Sequence, residues 1–317
     1  MNSADSTDIV LSICVLVYNH KQYIEECLES ILNQNMDFAY EIIVGNDCST
    51  DKTEEVLEKY KDRVKVINRP ENLGLCTNMY DLFQQAKGRY VTNVSGDDYL
   101  GDMNMFQKMV AFLEEHSEYY SVSAWSQFFN VQEGTVKDNS AGKQPMEYSL
   151  CDYLRTGNGL VMYGVMRNTF YQDRKSNDYL AKGARNNEEV KWYFYTLSKG
   201  NRYILPTAPF VYRYIVSESG SNYNSTHSYL DTFRDYYADV QMMRQLFGRK
   251  YNFKPLMLKK SDQYCIRLSD SFSHIMAFLK VMKFRDAVSL FWYKCYLKFH
   301  NRQNPPKWSD PAYYIKG

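Results

Sequence analysis

The sequence predicts an α/β architecture: a mostly parallel sheet flanked by helices, followed by a helical C-terminal region. Three observations lead there. Short β-branched runs alternate with apolar stripes of helical period between Ile9 and Phe129, the pattern of a sheet covered on both faces. The runs are apolar on consecutive residues rather than on alternate ones, as in strands buried on both sides. Polar and acidic residues follow the runs directly, at the edge where parallel sheets bind ligands.

The elements follow in order. Ile9 to Val17 is β-branched and apolar, a first strand. Ile24, Cys27, Leu28, Ile31 and Leu32 recur at helical spacing and present one stripe. Glu41 to Val44 is a second strand. Asp51, with Glu54 three residues on, opens a helix carrying Val56, Leu57 and Tyr60. Val64 to Ile67 is a third strand, and Asn78 to Lys87 a helix that Gly88 closes. Tyr90 to Val94 is a fourth strand. Met105, Phe106, Met109, Val110 and Leu113 mark one more helix. Beyond Asn130 the pattern loosens. Gln132 to Gln144 reads as a polar loop, Glu188 to Lys199 as a helix, and Tyr203 to Leu205 and Phe210 to Val216 as strands. Ser217 to Ser228 is rich in Ser and Asn and reads as a loop. Tyr229 to Gly317 reads as helical and aromatic.

Composition removes several function classes. The 317 residues carry 38 Lys and Arg against 37 Asp and Glu, a formal charge of +1, without the basic footprint of a nucleic-acid binder. No apolar run approaches the ~18 residues of a membrane span, and Met1 to Asp8 lacks the pattern of a signal peptide. Seven cysteines without a C-x-x-C fit reduced thiols. The expected location is therefore cytoplasmic. Val17 to Tyr23 has no glycine, and Gly157, Gly159 and Gly164 have the wrong spacing for a dinucleotide dehydrogenase. The Gly-Lys-Ser/Thr of a P-loop is missing, as is the glycine-rich phosphate loop of a sugar-nucleotide pyrophosphorylase.

The residues after each strand carry the chemistry. Tyr18, Asn19 and His20 follow the first. Asn46, Asp47, Cys48, Ser49 and Thr50 follow the second. Ser95, Gly96, Asp97, Asp98 and Tyr99 follow the fourth. Adjacent carboxylates in a tight turn can cap a helix, or they can meet a divalent cation that also binds phosphate oxygens. Together with Tyr18 and Asp47 at one sheet edge, the second reading is the stronger. His20, His116, His274 and His300 show no ligand spacing and are expected to pack or face solvent.

The blocks Ile13 to His20, Ser30 to Gln34, Glu41 to Asp51, Asn72-Leu73-Gly74 with Asn78, Ala86 to Val91, and Gly96-Asp97-Asp98-Tyr99 resemble those of family 2 glycosyltransferases, in the family's order. The resemblance is dense from Ile9 to Leu113 and weaker to about Asn224. It implies the GT-A fold with a Rossmann-like sheet, a nucleotide-sugar donor, expected to be a UDP-sugar, a Mn²⁺ or Mg²⁺ ion and inversion at the anomeric carbon. It divides the chain into an N-terminal tail (1–8), a nucleotide-sugar-binding half (9–129), an acceptor-binding half (130–228) and the helical region (229–317). Carried over by position, Tyr18 stacks on the donor base and Asp47 hydrogen-bonds it, with Asn19 and Asn78 beside the nucleotide. Asp98 is the direct metal ligand, and Asp97 lies nearer the ribose or the metal. Where similar sequences place another Asp, this chain has Ser95, and the His that often follows the Tyr-Arg of Tyr212-Arg213 is missing. Counting back from Gly200 makes Glu189 the catalytic base, with Glu188 next; a carboxylate at a helix start can also simply complement the helix dipole. The acceptor is expected to be a glycan or a polyprenyl-linked glycan in surface polysaccharide synthesis. The alternative is a degenerate nucleotide-sugar-binding scaffold. From Ile275 to Lys298, apolar and basic residues mix, which suits either helix packing or contact with a membrane surface.

Overall fold

The computed structural model describes residues 8–140, 143–156, 163–170, 189–214, 229–247, 250–251, 253, 282–288 and 291–292. Its first half follows the sequence closely. Strands β1 (Leu11–Val17), β2 (Tyr40–Asn46), β3 (Lys65–Asn68) and β4 (Tyr90–Ser95) alternate with helices α1 (Ile24–Leu32), α2 (Thr53–Leu57) and α3 (Leu75–Gln85). They pair in parallel in the order β3-β2-β1-β4. Every residue of β1 is buried, because both its faces are covered. Leu11, Ile13, Val15 and Val17 join one core with α1 and with α4 (Met105–Glu115). Cys14 and Leu16 join a second core, on the other face, with Met79, Tyr80 and Phe83 of α3. The alternation of side chains along a strand is what feeds both cores from one run, and each large side chain buried this way contributes about 1.5–3 kcal/mol.

The sheet then continues through β5 (Tyr99–Leu100), β6 (Tyr119–Asn130), β7 (Thr135–Asp138), β8 (Met146–Tyr148), β9 (Gly164–Arg167) and β10 (Asn201–Tyr214), with helices α5 (Leu150–Thr156), α6 (Glu189–Lys199) and α7 (Tyr229–Phe247). The full path is β3-β2-β1-β4-β9-β6-β10-β5. Strand β9 lies antiparallel between β4 and β6, while β6 and β10 are parallel. The parallel character predicted for the sheet is thus concentrated in β1 to β4.

Three local expectations change. The polar stretch Gln132 to Gln144 is not all loop, since β7 pairs antiparallel with β6 there. The two strands expected from Tyr203 onward are, up to Tyr214 where that run of described residues ends, one strand, β10, with an irregularity between Leu205 and Phe210 where Pro206 and Pro209 withhold ladder donors. Gly88 does not close α3, which ends at Gln85 with an extended Ala86. Its role is close approach: a Cβ there would lie 2.6 Å from the Ser12 amide and 2.8 Å from the Tyr90 carbonyl. No helix among the described residues is long and apolar enough to cross a membrane.

Candidate active site

The open edge of β1, β2 and β4 gathers the residues that the sequence singles out. Tyr18 directly follows β1 and is 43% exposed, a large ring left in solvent beside the strand ends. Asn19 follows it at φ 58°, a left-handed conformation that Asn tolerates better than most residues. Its amide donates to the Ser49 hydroxyl at 2.9 Å, and its Oδ1 accepts from the Thr50 amide at 2.8 Å. Asn19 therefore ties the loop after β1 to the loop after β2.

Asp47 is buried, and its two carboxylate oxygens accept the backbone amides of Leu73 (2.7 Å) and Gly74 (2.9 Å). Gly74 sits at φ 84°, ψ 155°, where glycine alone is comfortable. Asp47 holds the start of α3 against the sheet edge, and each oxygen keeps a further lone pair. Asn78 is buried on α3 and donates to the Gly45 carbonyl at 2.8 Å. Its described bond is thus to strand backbone.

The turn after β4 separates its two carboxylates. Asp98 is 2% exposed. One of its oxygens accepts the Tyr163 hydroxyl, and the other accepts the Arg213 backbone amide at 2.8 Å. Burial, and then the neighbouring Asp97 charge, push the Asp98 carboxyl well above the usual carboxylate range, while these two bonds pull it down. Asp98, expected from the sequence as the direct metal ligand, thus has both oxygens turned inward and engaged by protein donors. Asp97 is the more accessible member, its side chain 17% exposed. Its Oδ1 accepts the Ser95 hydroxyl, and its Oδ2 lies 3.8 Å from His20 Nε2. At Ser95 the chain thus supplies a donor to Asp97 in place of a second carboxylate.

Three residues were not assigned to this site from the sequence. His20 packs its ring on the turn, and a Cβ at Gly96 would meet His20 Nδ1 at 2.9 Å. Burial lowers the His20 pKa against the opposing pull of Asp97 and Asp51. Tyr163 reaches Asp98 from just before β9. Arg213, on β10, is buried; it donates to the Asp97 carbonyl at 2.6 Å and to the Glu26 carboxylate, and its guanidinium lies 4.6 Å from the Tyr99 ring centroid. The order Tyr18-Asn19-His20 hints at His20, but nothing local in the sequence marks Tyr163 or the pairing of Arg213.

The donor set suits a divalent cation in one specific way. Among the described residues no group of three or more His, Cys, Asp or Glu is arranged to hold a metal. One accessible carboxylate, Asp97, is enough for Mg²⁺ or Mn²⁺ when substrate phosphates supply other oxygens. Glu189 is the first residue of α6, its side chain falling outside the described residues, as Glu188 does altogether.

A family model described as Glycosyl transferase family 2 matches residues 12–172. The putative teichuronic acid biosynthesis glycosyltransferase TuaG of Bacillus subtilis is 31% identical over 132 residues, 41% of this chain and 51% of that protein. The poly(ribitol-phosphate) beta-glucosyltransferase of Bacillus spizizenii is 42% identical over 96 residues, 29% of this chain and 15% of that one. The chain spans about half or less of the length of these curated relatives, and 32% of the mycobacterial proteins it also matches. The crystal structure of S. aureus TarS 1-349 in complex with UDP-GlcNAc superposes with a TM-score of 0.63 at 17% identity, over 98% of this chain and 99% of that one. At that identity the likeness speaks for the fold, which is GT-A, as expected from the sequence.

Proposed function

The chain belongs to glycosyl transferase family 2, and from that premise we propose that it moves a sugar from a UDP-sugar to a hydroxyl of a glycan or lipid-linked glycan in surface polysaccharide synthesis. The observation that carries this reading is the sheet edge itself. At the ends of β2, β1 and β4, in that order across the sheet, stand the buried, amide-bound Asp47, the solvent-exposed Tyr18 and the partly exposed Asp97. That arrangement offers a stacking platform for a base and one anionic contact for a cation shared with a diphosphate. The relatives named for teichuronic acid and poly(ribitol-phosphate) glycosylation support an anionic cell-surface polymer as acceptor class, and the TarS complex supports UDP in the donor.

The chemistry we assign is a single displacement with inversion. Tyr18 stacks on the uracil, and Asp47 meets its edge with the lone pairs left over from Leu73 and Gly74. Asp97 would hold Mn²⁺ or Mg²⁺, which would supply charge neutralisation to the departing diphosphate. The acceptor oxygen bonds to the anomeric carbon as the bond from that carbon to the phosphate oxygen breaks. The acceptor proton goes to a carboxylate at the start of α6, Glu189, and UDP leaves. Arg213 and Tyr163 take no part in the bonds made or broken; they hold the turn that presents Asp97.

The test is a thermal-shift panel of UDP-, GDP-, CDP- and dTDP-sugars with and without Mn²⁺, followed by UDP release with candidate acceptors. Stabilisation by one UDP-sugar, strengthened by Mn²⁺ and scaling with ligand concentration, is expected. Equal or zero shifts across the panel overturn the donor assignment.

A further inference from the structure

The C-terminal residues 282–288 and 291–292 have two unlike sides. One side is fastened to α7. Asp286 accepts from Tyr237 (2.7 Å), Gln241 (3.2 Å) and Arg244 (2.7 Å), the Lys283 amide donates to the Tyr237 hydroxyl at 2.8 Å, and Met282 is buried. The other side faces water with apolar groups: Phe284 is 82% exposed, Val288 38%, Phe291 48% and Trp292 66%. Residues 284–288 and 291–292 are helical. At about 100° per residue, positions 284 and 288 fall about 40° apart on one helix face, and Phe291 and Trp292 are likewise exposed. Lys283 and Arg285, both exposed, fall about 100° to either side of Phe284, and Asp286 falls opposite.

The surface is therefore an apolar ridge with a cation on each flank. A cavity of about 450 Å³ adjoins it, lined by Gln241, Arg244, Gln245, Lys283 and Arg285 along with Phe284 and Asp286. The charge is one-sided. From 280 to 298 the sequence has Lys280, Lys283, Arg285, Lys294 and Lys298 against the single carboxylate Asp286, which Arg244 already neutralises.

We propose that this face rests in the interface of an anionic bilayer. Phe284, Phe291 and Trp292 enter the boundary between headgroups and acyl chains, while Lys283 and Arg285 meet headgroup phosphates at its rim. Such a helix lies in the interface plane and draws its strength from buried apolar area together with attraction to anionic lipid. Charge decides the occupant. A second copy would set two cationic rims against each other, whereas an anionic surface complements both rim and cavity. This inference goes beyond the transfer reaction and does not rest on the donor assignment.

Flotation of the full chain with liposomes tests it. Vesicles of phosphatidylcholine with 30% phosphatidylglycerol should carry the protein in 20 mM NaCl, and phosphatidylcholine alone should not. Raising NaCl to 500 mM should release most of it. F284S/F291S/W292S should lower partitioning by at least about tenfold, and K283Q or R285Q by about fivefold each. The UDP-sugar thermal shift of these variants should match the parent, which separates this surface from the sheet-edge site. No flotation with anionic vesicles, equal flotation with neutral ones, or unchanged flotation of the triple variant each overturns the proposal. So does a parent dimer in sedimentation that the triple variant loses, because the face would then belong to a second copy.

Discussion

Replacing Asp98 and Asp97 separately by Ala should damage different properties. Asp98→Ala removes the acceptor of two buried donors, the Tyr163 hydroxyl and the Arg213 amide. An orphaned buried donor costs about 1–3 kcal/mol, so the pair costs about 2–6 kcal/mol, a large share of the total of about 5–15 kcal/mol that holds a typical domain. At about 2 °C per kcal/mol for a chain of this size, the melting temperature should fall by about 4–12 °C. Asp98→Asn, which keeps an acceptor oxygen in place, should fall less. Asp97→Ala loses a partly exposed hydroxyl contact from Ser95 and a 3.8 Å approach to His20, worth about 1 kcal/mol or less. It should melt within about 2 °C of the parent. Its deficit should appear in ligand binding: Mn²⁺ should no longer strengthen UDP affinity, with a loss of at least about tenfold, since even outer-shell partners of metals are worth that much. Differential scanning fluorimetry gives the first quantity and calorimetric titration of UDP with and without Mn²⁺ the second. A thermally intact Asp98→Ala that has lost Mn²⁺-dependent UDP binding would refute the reasoning, as would an Asp97→Ala that binds like the parent.

Four further outcomes are expected. Tyr18→Ala should weaken UDP itself by roughly 1–3 kcal/mol without lowering the melting temperature, as checked by the same titration and scan, because the exposed ring has base stacking to lose and little core packing. Glu189→Gln should leave UDP affinity unchanged and lower turnover by about 10²–10⁴, whereas Glu188→Gln should cost much less; paired affinity and rate measurements distinguish a base at 189 from one at 188. Gly88→Ala should destabilise by about 1–3 kcal/mol in urea unfolding, because the new methyl meets backbone atoms of Leu11, Ser12 and Tyr90 that cannot move aside. The Lys108 ammonium and the Asn104 amide hold the Asp102 carboxyl below its ordinary 3.8. Its stabilising effect is therefore complete above about pH 3.8 and lost as pH falls through the lower folded value, so Asp102→Asn should flatten the acid limb of a melting-temperature profile.

What the sequence revealed and what it hid divide along physical lines. β1 to β4 and the helices between them were legible because their signals are local: a buried strand is an unbroken β-branched run, and α1, α3 and α4 carry apolar stripes at 3.6 spacing. The gathering of Tyr18, Asp47 and Asp97 at one edge follows from those elements alone, since parallel strands leave their polar ends on the same side. The inward turn of Asp98 was not legible. Its partners stand 65 and 115 residues away, and adjacent aspartates look alike until the fold decides which faces solvent. The structural partners of Asn19 were not legible for a similar reason. Its bonds to Ser49 and Thr50 join two loops that the sequence places 30 residues apart. Strand β9 was missed because its four residues, Gly164 to Arg167, offer too short a run for any period to show. Gly88 was read as a helix stop, but the reason for a glycine there is a strand passing within contact distance.

The two aspartates explain how one short turn serves both stability and chemistry. A carboxylate exposed at a strand end has many rotamers open to it, and a ligand for a cation and a diphosphate must keep few of them. The chain restricts Asp97 from behind. Asp98 is drawn into the interior by Tyr163 and β10, and the Arg213 guanidinium closes on the Asp97 carbonyl while it packs over Tyr23 and Tyr99. β5, the two-residue strand that follows the turn, pairs with β10 at Tyr99–Val211 and Leu100–Phe210. The accessible carboxylate thus comes from the first half of the chain, and its placement comes from the second. Burying one member of the pair, with its oxygens taken up by Tyr163 and the Arg213 amide, also keeps two carboxylates from competing for the same exposed space. A turn built from local residues alone could present an aspartate, but its position would depend on solvent-exposed contacts; tied to β10, it moves only if the sheet does.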